Sequence, residues 1–256
     1  RDQLSLRYAV GISTSEIWAA HVEAKRTLVE HVNRESNAGF DREVLTIGFA
    51  RRFAAYKRAG LIFQDLERLK KIARSAGPIQ IVFAGKAHPH DRDGKDLIAH
   101  IHEMRDALQG TIAVSYLTNY DMEVAKMLCA GADLWLNTPL PPLEASGTSG
   151  MKAAMNGVPS LSVLDGWWIE GHLEGVTGWS IGDRVEACLE PQPGMDSCHA
   201  GELYRKLEEQ VLPCFYKDQE RFIGIMRHAI ALNGAFFNTQ RMVAQYLHDA
   251  YRLGPA

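Results

Sequence analysis

Two clusters of residues carry the chemistry of this sequence. Glu144-Ala145-Ser146-Gly147-Thr148-Ser149-Gly150-Met151-Lys152 places a carboxylate, three hydroxyls, two glycines and an amine within nine positions. Arg51, Arg52, Lys57 and Arg58 place four cations within eight, and no acid occurs from Val44 to Gln64. Glycines let the backbone approach a ligand closely, and a helix start offers partial positive charge to an anion. Cations without local acids favour anion clamping over a solvated, charge-paired face. Phosphate is the natural ligand class. A P-loop is excluded, because Gly147-x-x-Gly150-Met151-Lys152 lacks the required spacing and Ala153 follows the lysine in place of a metal-binding hydroxyl. Lys152 is then either a charge partner or, once desolvated, an amine able to form a Schiff base.

Other polar runs are less specific. Lys86-Ala87-His88-Pro89-His90-Asp91 has the composition of a metal loop, but no third ligand stands at a recognised spacing, so it reads as a site rim with no metal. Trp167-Trp168 could stack on sugar or belong to the core, and Tyr120 could cover a planar group or pack a helix start.

The elements that must position these residues alternate. Apolar runs at 44–50, 79–84, 111–117, 133–137 and 160–164 read as buried strands. Between them lie helical patterns: Ile62 to Ile72, Leu97 to Leu108, Asp121 to Cys129 and Met151 to Asn156. A capping box at Ser13 and Glu16 opens an earlier helix whose apolar face is Trp18, Val22, Val29 and Val32. This rhythm predicts one α/β domain over 1–256, a Rossmann-like parallel sheet with helices on both faces, closed by C-terminal helices. The polar clusters at 51–58, 86–91, 118–121 and 144–152 each follow a strand, where such sheets bind ligands. Residues 184–200, with Glu190-Pro191-Gln192-Pro193-Gly194, are expected to form a loop.

With 256 residues, 46% hydrophobic content and a formal net charge of -3, the chain is a globular one with no basic excess for nucleic acid. It has no apolar run long enough for a membrane helix. Four cysteines without C-x-x-C spacing fit a reduced, cytoplasmic setting. The chain begins at Arg1 and reads as a piece of something longer.

These motifs together resemble the C-terminal half of an α-glucan (glycogen, starch or maltodextrin) phosphorylase. Glu144-Ala145-Ser146-Gly147-Thr148 with Met151-Lys152 resembles the family's E-A-S-G-T-x-x-M-K signature, whose lysine holds pyridoxal 5′-phosphate as a Schiff base. Arg51-Arg52-x-x-x-Tyr56-Lys57-Arg58 resembles its phosphate motif. Gly85-Lys86-Ala87-x-Pro89, Asn119-Tyr120 and Asn156-Gly157 match in the same order.

By position, the resemblance implies that Lys152 binds the cofactor aldehyde. Arg51, Thr148 and Ser149 hold its 5′-phosphate and Tyr120 lies near its ring. Arg52 and Lys57 grip substrate phosphate, while Glu144, Ser146 and Gly147 bind the glucosyl unit. The implied fold is the C-terminal domain of a GT-B glycosyltransferase. The implied reaction is reversible transfer of a terminal α-1,4-linked glucosyl unit from glucan to inorganic phosphate, giving glucose 1-phosphate. Two facing phosphates repel by about 4 kcal/mol per unit charge pair at about 4 Å and a dielectric of about 20, which accounts for several cations.

Ser149-Gly150 and Gly166-Trp167-Trp168 depart from the animal enzymes and point to the shorter bacterial or archaeal branch. The resemblance further implies an absent N-terminal glucan-binding domain, an inactive isolated fragment, and exposed apolar surface prone to self-association as a homo-oligomer. Two rivals differ in kind: a nucleotide-sugar glucosyltransferase like glycogen synthase, which has no reason for Lys152, and a non-catalytic binding module.

Overall fold

In a computed structural model, residues 4–182 and 194–251 are described. Six parallel strands form one sheet in the order β3-β2-β1-β4-β5-β6, with β1 at Leu45–Ala50, β2 at Ile79–Ala84, β3 at Ala113–Leu117, β4 at Leu134–Asn137, β5 at Ser160–Val163 and β6 at Gly178–Ile181. The order reverses direction between β1 and β4, so a crevice opens where their C-terminal ends part. Five strands agree with the expected apolar runs. β6 was not foreseen, because Gly178-Trp179-Ser180-Ile181 is short and opens on a glycine at φ +150°.

The strands alternate their side chains between two cores. Leu45, Ile47 and Phe49 with Ile79, Ile81 and Phe83 face one side, where C-terminal helices add Leu203, Phe222 and Met226. Ala50, Val82 and Trp135 face the other, covered by Leu28 and Val32, Leu128 and Ala153. Full burial of each large side chain is worth about 1.5–3 kcal/mol relative to exposure, so both faces hold the sheet flat against its helices.

Helix α1, Thr14–Ser36, opens with the expected capping box at Ser13 and Glu16. Its buried face keeps Val29 and Val32 of the expected stripe but not Val22, which is exposed, and adds the polar His21 and Lys25. The cause is Asp133, fully buried just before β4. Asp133 accepts from His21 Nε2 at 2.7 Å, pairs with Lys25 Nζ at 2.6 Å and takes the Thr46 amide at 2.7 Å. Burial opposes ionisation of this carboxyl, but Lys25 and His21 hold it below its ordinary range.

The pattern from Ile62 to Ile72 divides: a 3₁₀ turn at Leu61–Phe63 ends before Asp65, which caps α2 at Leu66–Ser75 by accepting from the Arg68 amide. Helices α3, Arg92–Leu108, and α4, Met122–Gly131, are capped likewise by Asp91 and Asp121. Helix α5 spans Thr148–Met155 and begins three residues before the expected Met151, so Thr148 to Gly150 belong to a helix start rather than a loop. A short α6 follows at Trp168–Gly171.

Helix α7, Met195–Lys206, occupies part of the region expected as a loop over 184–200; residues 183–193 lie outside the described residues. Packing decides the difference, since His199, Ala200 and Leu203 of this helix are buried. Helices α8, Leu212–Lys217, α9, Gln219–His228, and α10, Thr239–Gln245, close the domain. The Tyr216 hydroxyl accepts from the Leu45 amide at 2.9 Å and donates to the Pro78 carbonyl at 2.7 Å, joining the starts of β1 and β2. Beyond α9, Phe236, Val243, Tyr246 and Tyr251 are exposed. No helix among the described residues is long and apolar enough to cross a membrane.

Candidate functional site

The two clusters meet at the C-terminal ends of β1 and β4. Their cleft, about 370 Å³, is lined by Arg51, Arg52 and Lys57 on one side and by Glu144 to Ser149 on the other. Arg51 and Lys57 are buried and both donate to Glu144 Oε2. The cations that lack a local acid are therefore paired with one far along the chain, which corrects the picture of an unbalanced clamp. They also stand on a loop with only a 3₁₀ turn, Ala55–Lys57, so no helix dipole of that segment adds to them. Arg52 is exposed at the rim.

Burial disfavours the charged form of Glu144, yet Lys57 and Arg51 outweigh it and hold the carboxyl below the usual range. Its amide donates to Asp165 Oδ2 at 2.9 Å, and Asp165, at the end of β5, is raised mainly by burial. Sequence reasoning did not select Asp165. Its position immediately after a strand was the available signal.

Gly147 reaches φ +88° at the start of α5, and the Ser146 carbonyl accepts from the Trp167 amide at 2.8 Å. Trp167 and Trp168 are buried, resolving the alternatives for that pair in favour of the core. Trp167 lies under α5, where a side chain at Gly150 would meet its indole at 2.9 Å. Trp135 Nε1 donates to Ser149 Oγ at 3.4 Å, fixing the first turn of α5 to β4.

Thr148 and Lys152 are both exposed and stand four residues apart on α5, so they share one face of that helix. Buried Cys129 has its thiol pushed up to about 11 by burial, with Lys152 opposing the rise. Tyr120 is raised by burial and then by Cys129. Lys152, Cys129 and Tyr120 thus occupy one neighbourhood on the flank of α5. Tyr120 is half-buried against the core that contains Val124 and Trp135.

The described residues fit a bound phosphate ester. Arg51 Nη1 is a buried donor without a hydrogen-bond partner, and Arg51, Thr148 and Ser149 line one cleft. Unpaired buried polar groups are costly, and a ligand that engages them recovers that cost. The 86–91 loop does not line this cleft: the His88 and His90 rings lie tilted to each other with centroids 5.4 Å apart on an exposed turn, and no group of metal-ligating side chains occurs among the described residues. Cys129, Cys198 and Cys214 are free thiols.

The sequence is similar to known proteins along most of its length. The family model described as carbohydrate phosphorylase matches residues 12–175. A maltodextrin phosphorylase of Thermococcus litoralis is 44% identical over 254 residues, covering 94% of this chain and 30% of that protein. A glycogen phosphorylase of Aquifex aeolicus is 40% identical, with coverage of 94% and 37%. One from Mycobacterium tuberculosis is 42% identical, with coverage of 83% and 25%. The chain therefore spans between a quarter and two-fifths of these relatives' length. With the family model matching most of its residues and these relatives at 40% identity or more, this chain belongs to the carbohydrate phosphorylase family.

Proposed function

We propose that this chain forms the cofactor- and phosphate-binding half of a glucan phosphorylase that transfers a terminal α-1,4-linked glucosyl unit to inorganic phosphate, yielding glucose 1-phosphate. The observation that carries this reading is the meeting of Arg51, Lys57 and Glu144 in one cleft beside the Gly147-led start of α5, with Lys152 one turn along.

Pyridoxal 5′-phosphate would be held covalently at Lys152, with its phosphate against Arg51, Thr148 and Ser149 and its ring on the Tyr120 flank. When bound it supplies a phosphate able to exchange a proton with a neighbouring phosphate. Arg52 and Lys57 bind the substrate phosphate, and as fixed cations they offset the repulsion between two anions. Glu144, Ser146 and Gly147 accept and orient sugar hydroxyls. Glu144 also neutralises Arg51 and Lys57 while the cleft holds no anion.

The part of the relatives that this chain does not span would complete the glucan channel, and the isolated chain would bind cofactor without turnover. The nucleotide-sugar reading keeps no observation of its own, because it leaves Lys152 without a task.

The test is intact mass and absorbance of the chain with pyridoxal phosphate, before and after borohydride reduction, with Lys152→Ala alongside. A pyridoxyl adduct confined to Lys152 is expected. Absence of an adduct, or an adduct that survives in Lys152→Ala, would overturn the cofactor assignment and leave a non-catalytic binding module.

A further inference from the structure

Arg58 is the fourth cation of the basic cluster, yet it does not line the cleft. Its backbone takes φ +46°, a left-handed conformation that costs a residue with a side chain about 1–2 kcal/mol. That turn sends Lys57 toward Glu144 and Arg58 into the protein, where it is buried.

All three nitrogens of the Arg58 guanidinium are engaged there. Nε donates to the Thr138 carbonyl at 2.9 Å and Nη2 to the Pro139 carbonyl at 2.6 Å. Nη2 also donates to His199 Nδ1 at 2.8 Å, and Nη1 donates to Asp196 at 2.7 Å. In return, Thr138 Oγ1 donates to the Lys57 and Arg58 carbonyls, each at 3.0 Å, and the Leu140 amide donates to the Tyr56 carbonyl at 2.7 Å. The loop that carries Lys57 is thereby stapled to the loop that leads from β4 to Glu144. Both are tied to α7.

His199 suits this task only when neutral, since Nδ1 must accept. Burial and the adjacent Arg58 push it down to about 4, against the pull of Asp196 and Glu202. Lysine could not reproduce the arrangement, because a single ammonium lacks the planar fork that reaches two carbonyls and an imidazole at once.

We propose that Arg58 is the positioning residue for Lys57: its fork, docked on Thr138, Pro139 and His199, sets where the Lys57 ammonium stands against Glu144. The proposal deepens the phosphate-binding role given to Lys57 above and rests on that reading for its functional consequence. The competing assignment makes Arg58 a direct anion ligand, as its place in the motif suggests. The two differ in what Arg58→Lys and His199→Ala should do. A direct ligand tolerates lysine and is indifferent to His199; a positioning fork is lost in the first and loosened in the second.

The test has a readout that needs no ligand. The Glu144 carboxyl is followed by carbon NMR through an acid titration of the chain, with Lys57→Met as the reference for loss of the Lys57 contact. Folding is monitored by thermal denaturation. Arg58→Lys and His199→Ala should both move the Glu144 titration upward, toward that of Lys57→Met, and weaken inorganic phosphate binding by about 10-fold or more, the scale of a small misplacement of a binding group. His199→Ala removes one contact of four, so it reports even where Arg58→Lys does not fold.

An unchanged Glu144 titration in His199→Ala and in folded Arg58→Lys would overturn the proposal, as would a Lys57→Met variant that leaves Glu144 unmoved. If Glu144 shifts but the parent chain binds no phosphate, positioning stands and the phosphate role of Lys57 fails.

Discussion

Glu144 and Asp165 are joined by a single hydrogen bond, amide to carboxylate at 2.9 Å, yet their carboxyls are displaced in opposite directions. Asp165, without a cation in contact, is raised by burial; Glu144, in contact with two, is lowered despite burial. For Asp165 the folded value lies above the unfolded one, so its ionisation weakens the fold as pH climbs from about 3.8 through the raised value. Asp165→Asn removes that term while keeping an acceptor oxygen. Urea midpoints from pH 3 to 7 should show the wild type gaining on Asp165→Asn as pH falls. A difference independent of pH would contradict the account.

The lowered Glu144 works the other way. Its stabilising contribution is full above about 4.5 and is lost as pH falls through the folded value. Glu144→Gln removes the charge that Arg51 and Lys57 share and should cost about 1–3 kcal/mol at neutral pH. Inorganic phosphate should restore more of that loss in Glu144→Gln than it adds to the wild type, because the freed cations are then short of an anion. Thermal denaturation with and without phosphate measures both effects.

Gly85 tests the approach of two strand ends. It lies at φ +148°, and a side chain there would meet the Arg51 carbonyl at 1.9 Å. Nothing nearby can yield, since Arg51 N is bonded to the Ala84 carbonyl and Tyr116 donates to the Gly85 carbonyl. Gly85→Ala should destabilise the fold by about 2–3 kcal/mol or displace Arg51, and the cofactor role proposed for Arg51 then requires weaker binding of pyridoxal phosphate in either case, read from its absorbance. Gly110→Ala, also at positive φ but with open space around it, should cost only about 1 kcal/mol.

Asp133 should be the least replaceable carboxylate at the opposite end of the sheet. Asp133→Ala strands Lys25 and His21 in the interior, where removing one partner of a buried pair costs about 3–5 kcal/mol. Chemical denaturation gives the value. Lys25→Met together with Asp133→Leu should recover part of it, because matched apolar groups leave no charge behind.

The legible part of this protein was local. β1, β2, α3 and α4 follow from apolar runs, the start of α1 from a capping box three positions apart, and the E-A-S-G-T run marked the turn that leads into α5. What escaped depends on distance in sequence. The acid that pairs with Arg51 lies 93 residues away and the one that pairs with Arg58, Asp196 in α7, lies 138 away, so charge counting over one segment misread both as unbalanced. His21 and Lys25 broke the apolar stripe of α1 for a carboxylate more than a hundred residues on, and no periodicity reports such a need. β6 opens on a glycine at φ +150°, a conformation and residue type that carry no strand signal.

Tyr216 binds Leu45 and Pro78 across 171 and 138 residues of chain. Synthesis from the amino end can therefore lay down the central strands but cannot seal them, because the hydroxyl that caps their starts is made 171 residues after Leu45 and 138 after Pro78. Until then the amide of Leu45 must be satisfied by water, and the cleft at the other end hangs from a sheet still open at its base.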